Sequence, residues 1–190
     1  MRELVYYVAV SLDGAIAGPD GETDAFLAAG DHMTVLLTEF PETLPAHVAD
    51  ALGIRVTAGR FDTVMMGRDT LRPALEIGVT SPYPHLRQIV ATRADGGGFD
   101  PDIAVTREPL RTVRELKREP GGDIWLCGGG ELAGSLLPEI DRLILKRNPV
   151  VLGSGIPLFG ESAFEPRTFD LVGTRAFDSG VIIEEYVARR

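Results

Sequence analysis

A run of bulky apolar residues that stops abruptly at three consecutive glycines leaves a chain few ways to continue. Residues 123–137 contain one: Asp123-Ile-Trp-Leu-Cys-Gly-Gly-Gly-Glu-Leu-Ala-Gly-Ser-Leu-Leu. Ile124 to Cys127 read as a strand covered on both faces. Gly128, Gly129 and Gly130 lack a Cβ, so the chain can turn sharply and a ligand can reach the backbone. Leu132, Ala133, Leu136 and Leu137 then fall on one side at helical spacing, and Pro138 closes the run. A helix that starts at a glycine turn points unpaired N–H groups and partial positive charge outward, which suits phosphate or pyrophosphate. A purely structural turn would use the same residues, so both readings stand at this level. The residues also satisfy the dinucleotide fingerprint of the doubly wound fold, which requires an acidic residue about 20 positions on. Asn148, Pro149 and Val150 stand there instead. The sequence therefore predicts a nucleotide cradle without a Rossmann fold around it.

A chain of 190 residues suffices for one well-buried domain, and residues 1–190 read as a single unit. Lys plus Arg number 19 against 28 Asp plus Glu, a net charge of −9. That balance excludes general nucleic-acid binding, which needs a continuous basic face. The one cysteine cannot form an internal disulfide, no secretory pattern opens the chain and no apolar run is long enough to span a membrane. A cytoplasmic protein is expected.

Residues 4–10 are nearly continuous apolar sequence and read as a buried central strand. Residues 11–21, rich in Gly, Pro and Asp, predict a loop rather than a second strand, at the strand end where ligand contacts concentrate. Residues 25–29 suggest a short helix, and residues 47–52 a firmer one that carries Asp50. A carboxylate beside an apolar helix face becomes a proton donor if burial raises its pKa, and is otherwise part of a solvated face. His32, His47 and His85 show no metal-ligand spacing and read as surface or pocket-edge residues.

Thr63-Val-Met-Met followed by Gly67-Arg-Asp-Thr repeats the logic of the later cradle, with Arg68 and Thr70 offering a guanidinium and a hydroxyl to phosphate oxygens. Residues 86–91 predict a strand that ends in Thr92-Arg93 and the loose Gly96-Gly97-Gly98. Arg68, Arg72, Arg87 and Arg93 cluster in this section of an acidic chain, where they could hold a 2′-phosphate, although random placement of surface arginines explains the count almost as well. Residues 103–105 predict a strand, and Pro109 opens a helix with Leu110, Val113 and Leu116 inward. Residues 142–146 predict a strand with an unusually polar end at Lys146, Arg147 and Asn148. Residues 169–176 and 181–187 alternate around Asp178-Ser-Gly and predict an antiparallel hairpin. Together these give an α/β fold: a mixed, mostly parallel sheet with helices on both faces and a C-terminal antiparallel hairpin.

Four segments, Val10-Ser-Leu-Asp-Gly-Ala-Ile-Ala, Val64-Met-Met-Gly-Arg-Asp-Thr, Leu126-Cys-Gly-Gly-Gly-Glu-Leu and Val151-Leu-Gly-Ser-Gly-Ile-Pro-Leu-Phe, resemble in order the dihydrofolate reductase superfamily. More narrowly they resemble the branch of the C-terminal reductase domain of the bifunctional riboflavin-biosynthesis protein. The resemblance implies a dihydrofolate reductase-like fold, NADPH as cofactor, a small-molecule substrate and a homodimer. Gly67, Arg68 and Thr70 would hold pyrophosphate and 2′-phosphate, and Thr92 and Arg93 would flank the adenosine end. Gly128, Gly129, Gly130, Glu131 and Leu132 would form the second cradle. Ala9, Ser11, Asp13 and Ile16 would border nicotinamide and substrate, with Asp50 near the superfamily's acidic residue. Lys146 and Arg147 are candidates for a substrate phosphate. Three activities remain open: reduction of a ribosylaminouracil phosphate in riboflavin biosynthesis, dihydrofolate reduction, and NADPH binding without turnover.

Overall fold

A computed structural model describes residues 1–94, 99–162 and 164–189. In chain order the elements are β1 (Leu4–Val10), β2 (Ala15–Ala17), α1 (Met33–Glu39), α2 (Ala46–Ala51), β3 (Phe61–Gly67), α3 (Arg68–Glu76), β4 (Arg87–Ala91) and β5 (Ala104–Thr106). They continue with α4 (Pro109–Leu116), β6 (Asp123–Gly128), α5 (Gly130–Leu136), β7 (Arg142–Arg147), β8 (Ile156–Pro157), β9 (Phe169–Ala176) and β10 (Ile182–Ala188). Gly96, Gly97 and Gly98 lie outside the described residues.

Eight strands form one sheet in the order β5-β4-β3-β6-β1-β7-β10-β9. The five pairings from β5 to β7 are parallel, and β10 and β9 close that edge antiparallel, as the sequence predicts. Alternation along the central strands explains why they read as unbroken apolar runs. On β1, Leu4 and Tyr6 enter one core layer and Val5 and Tyr7 the other; on β6, Ile124 and Leu126 oppose Trp125 in the same way. The first layer is covered by Val113 and Leu116 of α4 and Leu132, Ala133 and Leu136 of α5. The second is covered by Val35 of α1 and Leu71 of α3. Cutting a fully buried side chain such as Leu126 or Leu136 to Ala would cost about 2–5 kcal/mol.

Three local expectations are corrected. Residues 15–17 form a strand, because Ala15 and Ala17 pair with Pro157 and Ile156 from a distant segment. Residues 25–29 are turn and irregular chain, and the helix begins later, at Met33. His32 is buried rather than at the surface, with one ring nitrogen 2.9 Å from the Ser179 hydroxyl.

Parallel pairing brings Gly67, Ala91, Thr106 and Gly128, the last residues of β3, β4, β5 and β6, to one edge of the sheet. In open α/β sheets that edge is where ligands bind.

Candidate active site

Two cavities open along that edge. The first, of about 1010 Å³, lies over the ends of β3, β4 and β5 and is lined by Gly67, Arg68, Thr92, Arg93, Thr106 and Leu132, among others. The second, of about 820 Å³, lies between β1, β6 and β7, with Tyr7, Ile16, Tyr83, Trp125 and Lys146 in its wall. Asp69, Thr70, Gly129 and Ile156 line both, so the two spaces adjoin at the start of α3 and the glycine turn.

The first cavity has the features expected of an anion site. Gly67 caps α3 with no side-chain hydrogen bond, which leaves the first amides of a nine-residue helix free to meet a ligand. Arg68 and Arg93 are exposed at the rim and form no ion pair among the described residues. The glycine turn closes the floor, where the Gly128–Gly129 peptide is cis. A Cβ on Gly129 would meet Thr70 Oγ1 at 3.6 Å, in the space between the two cavities. A Cβ on Gly130 would instead lie 2.2 Å from the Pro157 carbonyl oxygen. Gly129 therefore keeps the cavity open, whereas Gly130 lets the 157–160 segment pack on the turn. Glu131 lines the cavity, but its carboxylate accepts the Glu161 amide at 3.3 Å and so holds that same segment. These features fit a dinucleotide: free amides and two guanidiniums without an ion pair among the described residues for phosphate, and bare backbone where the chain must approach it closely.

Of the sequence-predicted residues, Gly67, Arg68, Thr70, Thr92, Arg93, Gly129, Gly130, Glu131 and Leu132 line the first cavity. Ala9, Ile16 and Gly128 line the second. Ser11 and Asp13 line neither. Buried Ser11 donates to the Asp13 carboxylate at 2.6 Å, and the amides of Leu152 and Gly153 donate to it at 3.1 and 2.8 Å. These hydrogen bonds, that from Ser11 first, pull the Asp13 pKa down to about 2. The pair thus ties the loop after β1 to residues 150–153. Asp50 is exposed on α2, whose buried residue is Ala49, and it lines neither cavity. The burial that a proton donor there would need is absent.

The four clustered arginines separate. Arg68 and Arg93 reach the first cavity and Arg72 the second, whereas Arg87, at the opposite end of β4, pairs with Glu119 at 2.7 Å. Arg147 is engaged by Glu184 through contacts of 3.0 and 2.8 Å. Lys146, its neighbour on β7, points the other way, with its ammonium 4.5 Å from the centre of the Tyr7 ring. Burial lowers the Lys146 pKa to about 8 and raises that of Cys127, also in this wall, to about 12.

The aromatic wall of the second cavity was not identified from sequence. Tyr7 and Trp125 read there only as core, and Tyr83 sits in a Pro-rich stretch without periodicity. Trp125 is fixed by donating to the Tyr7 carbonyl at 3.1 Å and packs edge-on against Tyr83 at 5.0 Å. Buried Asn148 accepts the Leu27 amide at 3.0 Å and donates to the Lys146 carbonyl at 3.0 Å, which ties the 26–28 wall to the end of β7.

Comparison with known proteins places this geometry. The chain is 34% identical over 186 residues to the uncharacterized protein YwjB of Bacillus subtilis (strain 168), covering 95% of each chain. Its fold is similar to that of a dihydrofolate reductase from Enterococcus faecalis complexed with NADP(H), with a TM-score of 0.67 at 18% identity over 99% of this chain and 97% of that one. It is also similar to a Thermotoga maritima diaminohydroxyphosphoribosylaminopyrimidine deaminase/5-amino-6-(5-phosphoribosylamino)uracil reductase, with a TM-score of 0.68 at 15% identity over 99% of this chain and 57% of that one. Both likenesses are of fold, which is therefore dihydrofolate reductase-like. Residues 2–183 match the RibD C-terminal domain, and the chain belongs to that family.

Proposed function

We propose that this protein is an NADPH-dependent reductase of a planar pyrimidine- or pterin-like heterocycle, working as a single domain. The observation that carries this reading is the junction of the two cavities at Asp69, Thr70, Gly129 and Ile156. A dinucleotide held by its phosphates in the first cavity would extend its nicotinamide across Gly129 into the second. Arg68, Arg93 and the first amides of α3 would hold the phosphates, and Thr92 would flank the adenosine end. Bound NADPH would supply a hydride, and catalysis would rest largely on placement against the acceptor. Phe26, Tyr83 and Trp125 would stack on a flat ring and exclude water. The specific substrate proposed is a 5-amino-6-(5-phosphoribosylamino)uracil-like compound, on the strength of the family and of the reductase activity for which the similar Thermotoga protein is named.

The test is the affinity of purified protein for NADPH and NADH, read by nicotinamide fluorescence. NADPH should bind at least about tenfold more tightly, since one charge-assisted contact to the extra phosphate contributes about 1.5–3 kcal/mol and 1.4 kcal/mol is tenfold. Arg68→Ala should remove most of that preference and weaken NADPH much more than NADH. Equal losses for both cofactors would end the 2′-phosphate role of Arg68, and failure of either cofactor to bind would end the reductase reading. Oxidation of NADPH with dihydrofolate, but not with the ribosylaminouracil phosphate, would move the activity to pterins.

A further inference from the structure

The reductase reading leaves one half-buried cation of the second cavity without a task. Lys146 stands in a strand between Ala9 of β1 and Ile183 of β10, its register partners on either side, and neither neighbour is charged. Its ammonium faces the second cavity over the Tyr7 ring, and among the described residues no carboxylate lies within ion-pair distance of it. Cys127 approaches it from β6, and Tyr83 from the segment before β4 stands in the same wall. Glu39 and Glu42 act on Tyr7 from the α1 side, and Asp20, Asp69 and Arg72 are the remaining charged groups in the cavity wall. A half-buried cation with no counter-charge loses part of its hydration, and here an aromatic face offsets part of that cost. A ligand that brings an oxygen acceptor to it would recover more.

We propose that Lys146 is a specificity-determining residue of the second cavity, donating a hydrogen bond to a carbonyl oxygen of a planar heterocyclic acceptor held between the aromatic walls. This rests on the reductase reading for the identity of the reaction, but not for the contact itself. A neutral, polarised oxygen suits the site better than a phosphate. A dianion on this floor would be stripped of water against one cation, because Arg147 is already occupied by Glu184. A phosphate on the same substrate would therefore sit at the rim, on the side of Arg72. A hydrogen bond from the ammonium also draws electron density out of the ring that receives the hydride. The lowered pKa of about 8 leaves the ammonium form dominant at neutral pH.

The chain has two lysines, Lys117 and Lys146, and one tryptophan, Trp125, so each cavity component has its own reporter. Lysine labelled at Cε gives two NMR resonances, which Lys146→Met assigns. The probe is lumazine, a flat bicyclic pyrimidinedione. In the wild type, lumazine should quench Trp125 and shift the Lys146 resonance while leaving that of Lys117 in place. Lys146→Met should need at least about tenfold more lumazine for the same quenching, Lys146→Arg should recover most of the affinity, and NADPH affinity should stay within about twofold in both. Quenching that is equal in wild type and Lys146→Met, or a Lys146 resonance that lumazine does not move, would overturn the proposal. Absence of any quenching in the wild type would overturn the assigned ligand class. Failure of NADPH to bind, with the lumazine results intact, would sink the reductase reading and leave the Lys146 contact standing.

Discussion

Adjacent glycines in the turn after β6 should respond oppositely to the same added methyl group. At Gly130 the new Cβ would meet the Pro157 carbonyl oxygen at 2.2 Å and the Gly160 nitrogen at 2.9 Å, both backbone atoms that no rotamer change can move aside. Overpacking of this kind costs about 1–3 kcal/mol, against which Ala in a helix regains about 0.5–1 kcal/mol relative to Gly. A net loss of about 1–2 kcal/mol lowers Tm by about 2–8 °C in a chain of this size. At Gly129 the backbone is extended, at φ −89° and ψ −167°, and the Cβ has ordinary contact with Thr70 Oγ1 at 3.6 Å. Gly129→Ala should therefore melt within about 2 °C of wild type, since substitutions that create neither a clash nor a cavity stay near ±0.5 kcal/mol. The function should reverse that order: Gly129→Val, which fills the junction between the cavities, should weaken NADPH at least about tenfold while the protein stays folded. Thermal melts by circular dichroism and nicotinamide fluorescence measure the two effects. A Gly130→Ala protein as stable as wild type would refute the close packing of the 157–160 segment, and unchanged NADPH affinity in Gly129→Val would remove the glycine turn from the cofactor site.

Asp13→Ala should lower Tm at neutral pH by freeing residues 150–153. Because the folded pKa of about 2 lies below the ordinary value of 3.8, the ionised carboxylate stabilises the fold fully above about pH 4 and ceases to do so as pH falls toward 2. The Tm gap between wild type and variant should close across that window, and a gap that does not vary with pH would contradict it. Asp50→Asn should change neither Tm by more than about 2 °C nor NADPH affinity, as expected of an exposed residue outside both cavities. A selective loss of hydride transfer in that variant would restore Asp50 to the reaction.

The strands at the centre of the sheet were legible because both of their faces are buried. Residues 4–10, 63–66 and 124–127 have no polar face to hide their periodicity. The lining of the first cavity was legible for a related reason, since parallel strands end together and glycine, Arg68 and Thr92 follow those ends at once. What the sequence hid depends on distant partners. The β2 strand exists through Ile156 and Pro157, about 140 residues away, and its own three residues carry no strand signal. Ser11 and Asp13 follow a buried strand as ligand-facing residues do, yet the two amides that claim Asp13 belong to residues 152 and 153. From residue types alone, a carboxylate that clamps a loop looks the same as one that meets a substrate.

The polar end of β7 shows where such ambiguity becomes informative. Lys146 and Arg147 are consecutive, so the alternation of a strand must send them to opposite faces, and only one of them can reach the cavity. Residue type does not decide which. The decision is made by β10, whose Glu184 lies on the face that Arg147 takes and engages it. Once Arg147 is held there, Lys146 is committed to the aromatic side, where burial depresses its pKa and no carboxylate answers it among the described residues. A chain selected for stability alone would place an apolar residue at that point, since the strand on either side offers Ala9 and Ile183. A local rule broken without structural compensation is the pattern expected of a residue kept for what it binds.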